Sequence, residues 1–143
     1  SEEAEAESEE ESEEAEAESE EEDTSSGSYV IDASEDDVAL LAALIYCEAG
    51  GESREGKVAV GAVVVNRVKS SSYPNTISGV VYQSGQFTPA ATGKLARILS
   101  QGANSDCYEA AVASLNGENP IGDKLHFNGG RGQGIQIGNQ HFY

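Results

Sequence analysis

Basic side chains are scarce in this chain. Its 143 residues carry 8 Lys and Arg against 26 Asp and Glu, and with no basic patch that balance argues against nucleic acid as a partner. Long apolar runs are missing too. No segment reaches the length of a bilayer-spanning helix, and no basic-then-apolar signal segment is present. The chain starts at Ser1 without an initiator Met, as expected of a processed or truncated product whose export signal lies upstream. Cys47 and Cys107 are the only cysteines. Neither sits in a CxxC pair and two thiols cannot build a structural zinc site, which leaves a disulfide or two buried thiols. No Cys-His-Asn signature surrounds Cys47, so it is not expected to be a nucleophile. The two histidines, His126 and His141, are too few and too far apart to define a metal site, and no metal or cofactor is expected.

What the chain has in excess is acid, unevenly placed. Residues 1–23 hold 15 of the 26 acids, and Ser1 to Glu11 repeats unchanged as Ser12 to Glu22. Such a segment has no apolar surface to bury and is expected to be a disordered tail and linker over residues 1–28. It reads as a solvated spacer, or as a device that repels anionic polymers. The remainder, residues 29–143, is only mildly acidic and long enough for one core.

That domain is organised around Ile45-Tyr46-Cys47-Glu48-Ala49-Gly50-Gly51-Glu52. Ser34 before Glu35-Asp36-Asp37 is an N-cap signal, so a helix should start there. Val38, Leu41, Ala42 and Ile45 recur at helical spacing, and Glu48 extends their row by one turn. Glu48 should therefore leave the helix on its buried side. Desolvation and the helix C-terminal dipole both raise a carboxyl pKa there, and a carboxyl kept protonated can act as a general acid. Gly50 or Gly51 could end the helix in the left-handed conformation. The plain alternative is a solvated helix-end glutamate.

Downstream, residues 58–68 read VAVGAVVVNRV. Their β-branched content suits a strand, but a length of eleven and a capping Ser53 favour a fully buried helix. Asn66 and Arg67 place polar groups at its end, to bond backbone or to line a cleft. Thr76 can cap a short helix over 77–82. Residues 83–89 form a loop of amides, hydroxyls and Phe87, a mixture suited to sugars, or an ordinary loop with Phe87 in the core. Helices are expected over 95–99 and 106–115. Residues 125–128 and 135–142 alternate around the glycine-rich stretch 129–134, which signals a hairpin. That stretch has no phosphate-binding spacing, so a nucleotide site is rejected.

Four motifs in order carry a family resemblance: Glu48-Ala49-Gly50-Gly51-Glu52, the run from Gly56 to Val68, the run from Tyr73 to Tyr82, and Gly85-Gln86-Phe87. Together they resemble the SleB/CwlJ-type cell wall hydrolases, the spore cortex-lytic enzyme family of Gram-positive bacteria, from about Leu40 to the C-terminus. The resemblance implies an α+β, predominantly helical domain of lysozyme-like, lytic-transglycosylase type with a small β-hairpin portion. It places the catalytic glutamate on Glu48 and a second acid on Glu52. Its glycine-glutamine-phenylalanine motif falls on Gln86 and Phe87, and its aromatic-asparagine element on Phe127-Asn128. Here the sequence departs from relatives that carry a further aromatic before that asparagine. Asn66, Tyr82 and His126 complete the residues expected to meet substrate.

The function so implied is cleavage of peptidoglycan glycan strands between N-acetylmuramic acid and N-acetylglucosamine. Glu48 as the one secure carboxylate favours a lytic transglycosylase leaving 1,6-anhydromuramic acid ends. Alternatives are a muramidase using Glu48 and Glu52 together, and a non-catalytic peptidoglycan-binding module. A monomer acting outside the cytoplasm, secreted or wall- or spore-associated in a Gram-positive bacterium, is expected. An even cysteine count in such a compartment leads to an expected Cys47–Cys107 disulfide, whose loop closure would contribute on the order of 4 kcal/mol.

Overall fold

The computed structural model describes residues 29–130 and 133–143. The chain divides into Ser1–Asp32 and a compact unit, Ala33–Tyr143. The expected disordered tail, residues 1–28, lies outside the described residues.

Six helices come first: α1 Glu35–Ala49, α2 Arg54–Lys69, α3 Ile77–Val81, α4 Thr88–Thr92, α5 Lys94–Gln101 and α6 Ser105–Leu115. The N-cap of α1 is Ser34, as its sequence requires. The Asp37 N–H donates to Ser34 Oγ at 3.1 Å, and the Ser34 N–H donates back to the Asp37 carboxylate at 2.9 Å. Ser53 caps α2 in the same way, accepting from the Gly56 N–H at 3.2 Å. The β-branched run is helical because α2 is enclosed: α1, α3 and α6 all pack against it. Residues 56–65 are buried throughout. Burial of every face overrides a local preference worth only tenths of a kcal/mol per residue.

Close approach of α2 and α6 depends on Gly61. A Cβ at this position would stand 2.9 Å from Ser114 Cβ and 2.5 Å from its Oγ. The core of Leu41, Leu44, Ile45, Val60, Val63, Val64 and Leu115 fills the space among α1, α2 and α6.

Two local expectations are revised. Neither Gly50 nor Gly51 is left-handed; Gly50 is right-handed helical, and its N–H bonds to the Tyr46 carbonyl at 3.1 Å. The loop expected over 83–89 gives way at Thr88 to α4, where Pro89 occupies the first turn, a position in which a missing N–H costs nothing.

The C-terminal segment forms a three-stranded antiparallel sheet of β1 Phe127–Asn128, β2 Ile135–Ile137 and β3 Gln140–Phe142, in the order β1-β3-β2. The small hairpin is β2–β3, turning tightly at Gly138-Asn139 rather than at the glycine-rich stretch, with Gly138 at φ +59°. Among the described residues no helix is long and apolar enough to cross a membrane.

Candidate active site

Glu48 is the penultimate residue of α1 and lines a cleft of about 540 Å³ with Arg67, Gln86, Phe87, Thr88, Lys94 and Phe127 among others. The walls come from six places, α4 among them with Thr88, Pro89 and Thr92. The end of α1 brings Glu48, α2 brings Arg67, and the turn before α4 brings Gln86 and Phe87. The start of α5 brings Lys94, and the sheet brings Phe127, Asn128 and Gln140.

Burial raises the Glu48 carboxyl above the ordinary glutamate range, and the Lys94 ammonium pulls it partly back. Among the described residues nothing hydrogen-bonds this carboxyl. Its peptide is fixed instead, because Gln140 Nε2 donates to the Glu48 carbonyl oxygen at 2.8 Å. That bond satisfies one of the carbonyls a helix leaves open at its C-terminus. A raised pKa favours the protonated form of Glu48, whose side chain lines the cleft.

Arg67 is 4% exposed. Its Nε donates to the Leu125 carbonyl at 2.8 Å and its Nη1 to Gln86 Oε1 at 3.1 Å. The guanidinium lies 4.9 Å from the Tyr73 ring centroid and 5.1 Å from that of Phe87, within cation–π range of both. Burial lowers its pKa, but from so high a starting value that it stays charged. Phe87 in turn stacks on Phe127 at 6.2 Å, and Phe127 meets Phe142 at 5.8 Å.

Of the residues expected at the site, Glu48, Gln86, Phe87 and Asn128 come together in this cleft. Glu52, Asn66, Tyr82 and His126 do not line it. The Glu52 carboxylate accepts from the Asn139 backbone N–H at 3.2 Å and from Asn139 Nδ2 at 3.3 Å, tying the β2–β3 turn to the start of α2. Asn66 donates to the Gly122 and Lys124 carbonyls at 2.9 and 2.8 Å and lines a separate polar pocket. Tyr82 is 52% exposed at the end of α3, and His126 stacks on Tyr143 at 5.2 Å.

Cys47 and Cys107 are free thiols, which corrects the expected disulfide. Cys107 is buried and Cys47 half-buried, so each packs as a small apolar side chain, and burial raises both thiol pKa values. Sequence reasoning also missed Lys94, Thr92 and Gln140 as cleft residues, while Thr88 belongs to the 83–89 stretch read as suited to sugars. Arg67 left one signal, a cation at the end of an otherwise apolar run. Gln140 left none, since its burial follows from β3 being the middle strand.

A family model described as Cell Wall Hydrolase matches residues 51–143. The chain belongs to the cell wall hydrolase family. The matched span opens three residues after Glu48. Similar to it are the spore cortex-lytic enzyme of Bacillus cereus, 39% identical over 94 residues, and that of Bacillus subtilis, 36% identical over 94 residues. These alignments cover 66% of this chain but 35% and 30% of the two relatives, so the chain spans about a third of their length. Among solved structures, the catalytic domain of the germination-specific lytic transglycosylase SleB from Bacillus anthracis is similar at TM-score 0.69 and 33% identity, over 77% of this chain and 95% of that one. The catalytic domain of the Bacillus cereus SleB protein gives TM-score 0.70 and 32% identity, over 84% and 98%. Both the resemblance in the motifs and the predominantly helical, lysozyme-like transglycosylase fold with its small sheet are borne out. This cell wall hydrolase family member is thus similar over most of its length to those two solved domains.

Proposed function

We propose that this domain cleaves the peptidoglycan glycan strand between N-acetylmuramic acid and N-acetylglucosamine as a lytic transglycosylase, outside the cytoplasm, with Glu48 as general acid and then general base. The observation that carries this reading is the number of carboxyls in the cleft: Glu48 is the one acid among the described residues lining it. Hydrolysis in the usual two-carboxylate manner needs a second acid positioned for a water or for the anomeric carbon. Glu52, the candidate for that role, is engaged by Asn139 on the β2–β3 turn.

In the proposed sequence the protonated Glu48 carboxyl donates to the glycosidic oxygen as the bond to muramic acid C1 breaks. Positive charge developing at C1 is stabilised by the substrate's own N-acetyl oxygen. Glu48, now a carboxylate, takes the proton of the muramic acid 6-hydroxyl, O6 bonds to C1, and Glu48 is again protonated for the next cycle. No water enters the balance. Phe87 and Phe127 supply an apolar wall, and Gln86 and Asn128 supply amides for the sugars' acetamido groups.

Digestion of purified peptidoglycan, followed by mass spectrometry of the fragments, tests the reading. Anhydromuramic ends, lighter by one water than reducing ends, are expected from the wild type and not from Glu48→Gln. Fully hydrated ends would favour the muramidase. Binding of the wall without any cleavage would favour the non-catalytic module.

A further inference from the structure

We propose that Arg67 is a positioning residue that holds the Gln86 side-chain amide with its oxygen turned inward, so that Gln86 presents only N–H donors to the cleft and reads the carbonyl oxygen of a substrate acetamido group. The inference rests on the glycan-cleaving reading above and adds which atom of the substrate this wall selects.

A side-chain amide can usually offer either end, since its oxygen and nitrogen are similar in size. Here the partner decides. A guanidinium has five N–H donors and no acceptor, so the Gln86 atom 3.1 Å from Arg67 Nη1 must be the oxygen. The –NH₂ group is then the free end. Among the described residues no other hydrogen bond engages it, and Gln86 is exposed on the cleft wall.

Arg67 can impose this orientation because it is itself held on several sides. Its Nε is bonded to the Leu125 carbonyl, and the Tyr73 and Phe87 rings lie within 5.1 Å of its Cζ. No carboxylate pairs with it among the described residues, an unusual state for a guanidinium buried this deeply. An ion pair would serve stability alone; amide, carbonyl and ring partners leave its charge to polarise the Gln86 amide.

Asn128 follows the same rule on the sheet side. Its Oδ1 accepts from the Gly130 N–H at 3.2 Å, and its Nδ2 lies 3.5 Å from the Tyr143 hydroxyl, to which it donates. The Gln86 –NH₂ and the Lys94 ammonium give the cleft donors, matched to acceptors such as acetamido carbonyls.

The test is equilibrium binding of glycan oligosaccharides, N-acetylated and de-N-acetylated, to protein carrying Glu48→Gln so that ligand persists. Gln86→Met removes the donor without adding charge. It should weaken binding of the N-acetylated glycan about ten-fold, the equivalent of one hydrogen bond, and leave the de-N-acetylated glycan within about two-fold. Arg67→Lys keeps a cation but cannot hold both Leu125 and Gln86. It should fold cooperatively and lose the same preference for acetylated ligand. Equal weakening of both ligands by Gln86→Met, or no weakening of either, overturns the proposal whether or not Arg67→Lys folds. Because binding is read without turnover, these outcomes stand apart from the product analysis: hydrated ends would overturn the transglycosylase reading and leave the preference intact.

Discussion

Replacing Gly61 by Ala should destabilise the domain by about 2–3 kcal/mol, against the intrinsic helix preference. In an exposed helix the same change would stabilise by about 1 kcal/mol, since Ala loses less backbone entropy. At Gly61 the new methyl would lie 2.9 Å from Ser114 Cβ, 2.5 Å from its Oγ and 3.4 Å from Ile45 Cδ1. The Ser114 hydroxyl could rotate away, but it would give up its 2.9 Å bond to the Ala111 carbonyl in a site only 1% exposed, at a cost of about 1 kcal/mol. Ser114 Cβ is part of α6 and cannot rotate. The helices must separate, and overpacking of this kind costs about 1–3 kcal/mol. For a domain of this size the melting temperature should fall by roughly 10 °C, read by circular dichroism. Ser114→Gly removes both obstructing atoms, so the double variant should recover about 2 kcal/mol relative to the sum of the single changes. A Gly61→Ala protein as stable as wild type, or strictly additive effects of the two changes, would refute the close-contact reasoning.

Three further outcomes follow from the site. Glu48→Gln should lower cleavage by about 10² to 10⁴-fold while making the fold more stable at neutral pH. Burial raises the folded-state pKa of Glu48, so wild-type stability is fully present below the unfolded pKa of about 4.5 and declines as pH rises through the folded value; chemical denaturation of both proteins at acidic and neutral pH should show the difference vanish in acid. Lys94→Met removes the charge that holds the Glu48 pKa down, so the alkaline limb of the pH–rate profile should move to higher pH, and an unmoved limb would separate Lys94 from the acid. Glu52→Ala should cost about 1 kcal/mol by releasing the Asn139 turn, with anhydro ends still formed; a switch in product type would return Glu52 to the chemistry.

Much of the helical frame was legible in the sequence because its signals are local. Ser34 with Asp37 three residues on, Ser53 before Gly56, and Thr76 before Gly79 cap helices through bonds that span a single turn. Glu48 was legible for the same reason, since helical spacing carries it onto the side occupied by Ile45. The cell wall hydrolase family was legible in the four motifs. Only the tertiary structure decided which polar residues share the cleft. Glu52 lies four residues from Glu48, yet the two glycines between them let α2 turn it toward Asn139, 87 positions further on. Gln140 meets Glu48 across 92 positions, and Arg67 meets Gln86 across 19, through contacts that no periodicity encodes. Local hydrogen bonds and helical spacing are properties of a few neighbouring residues, whereas desolvation of Glu48, enclosure of α2 and the anchoring of Arg67 exist only once distant segments have packed.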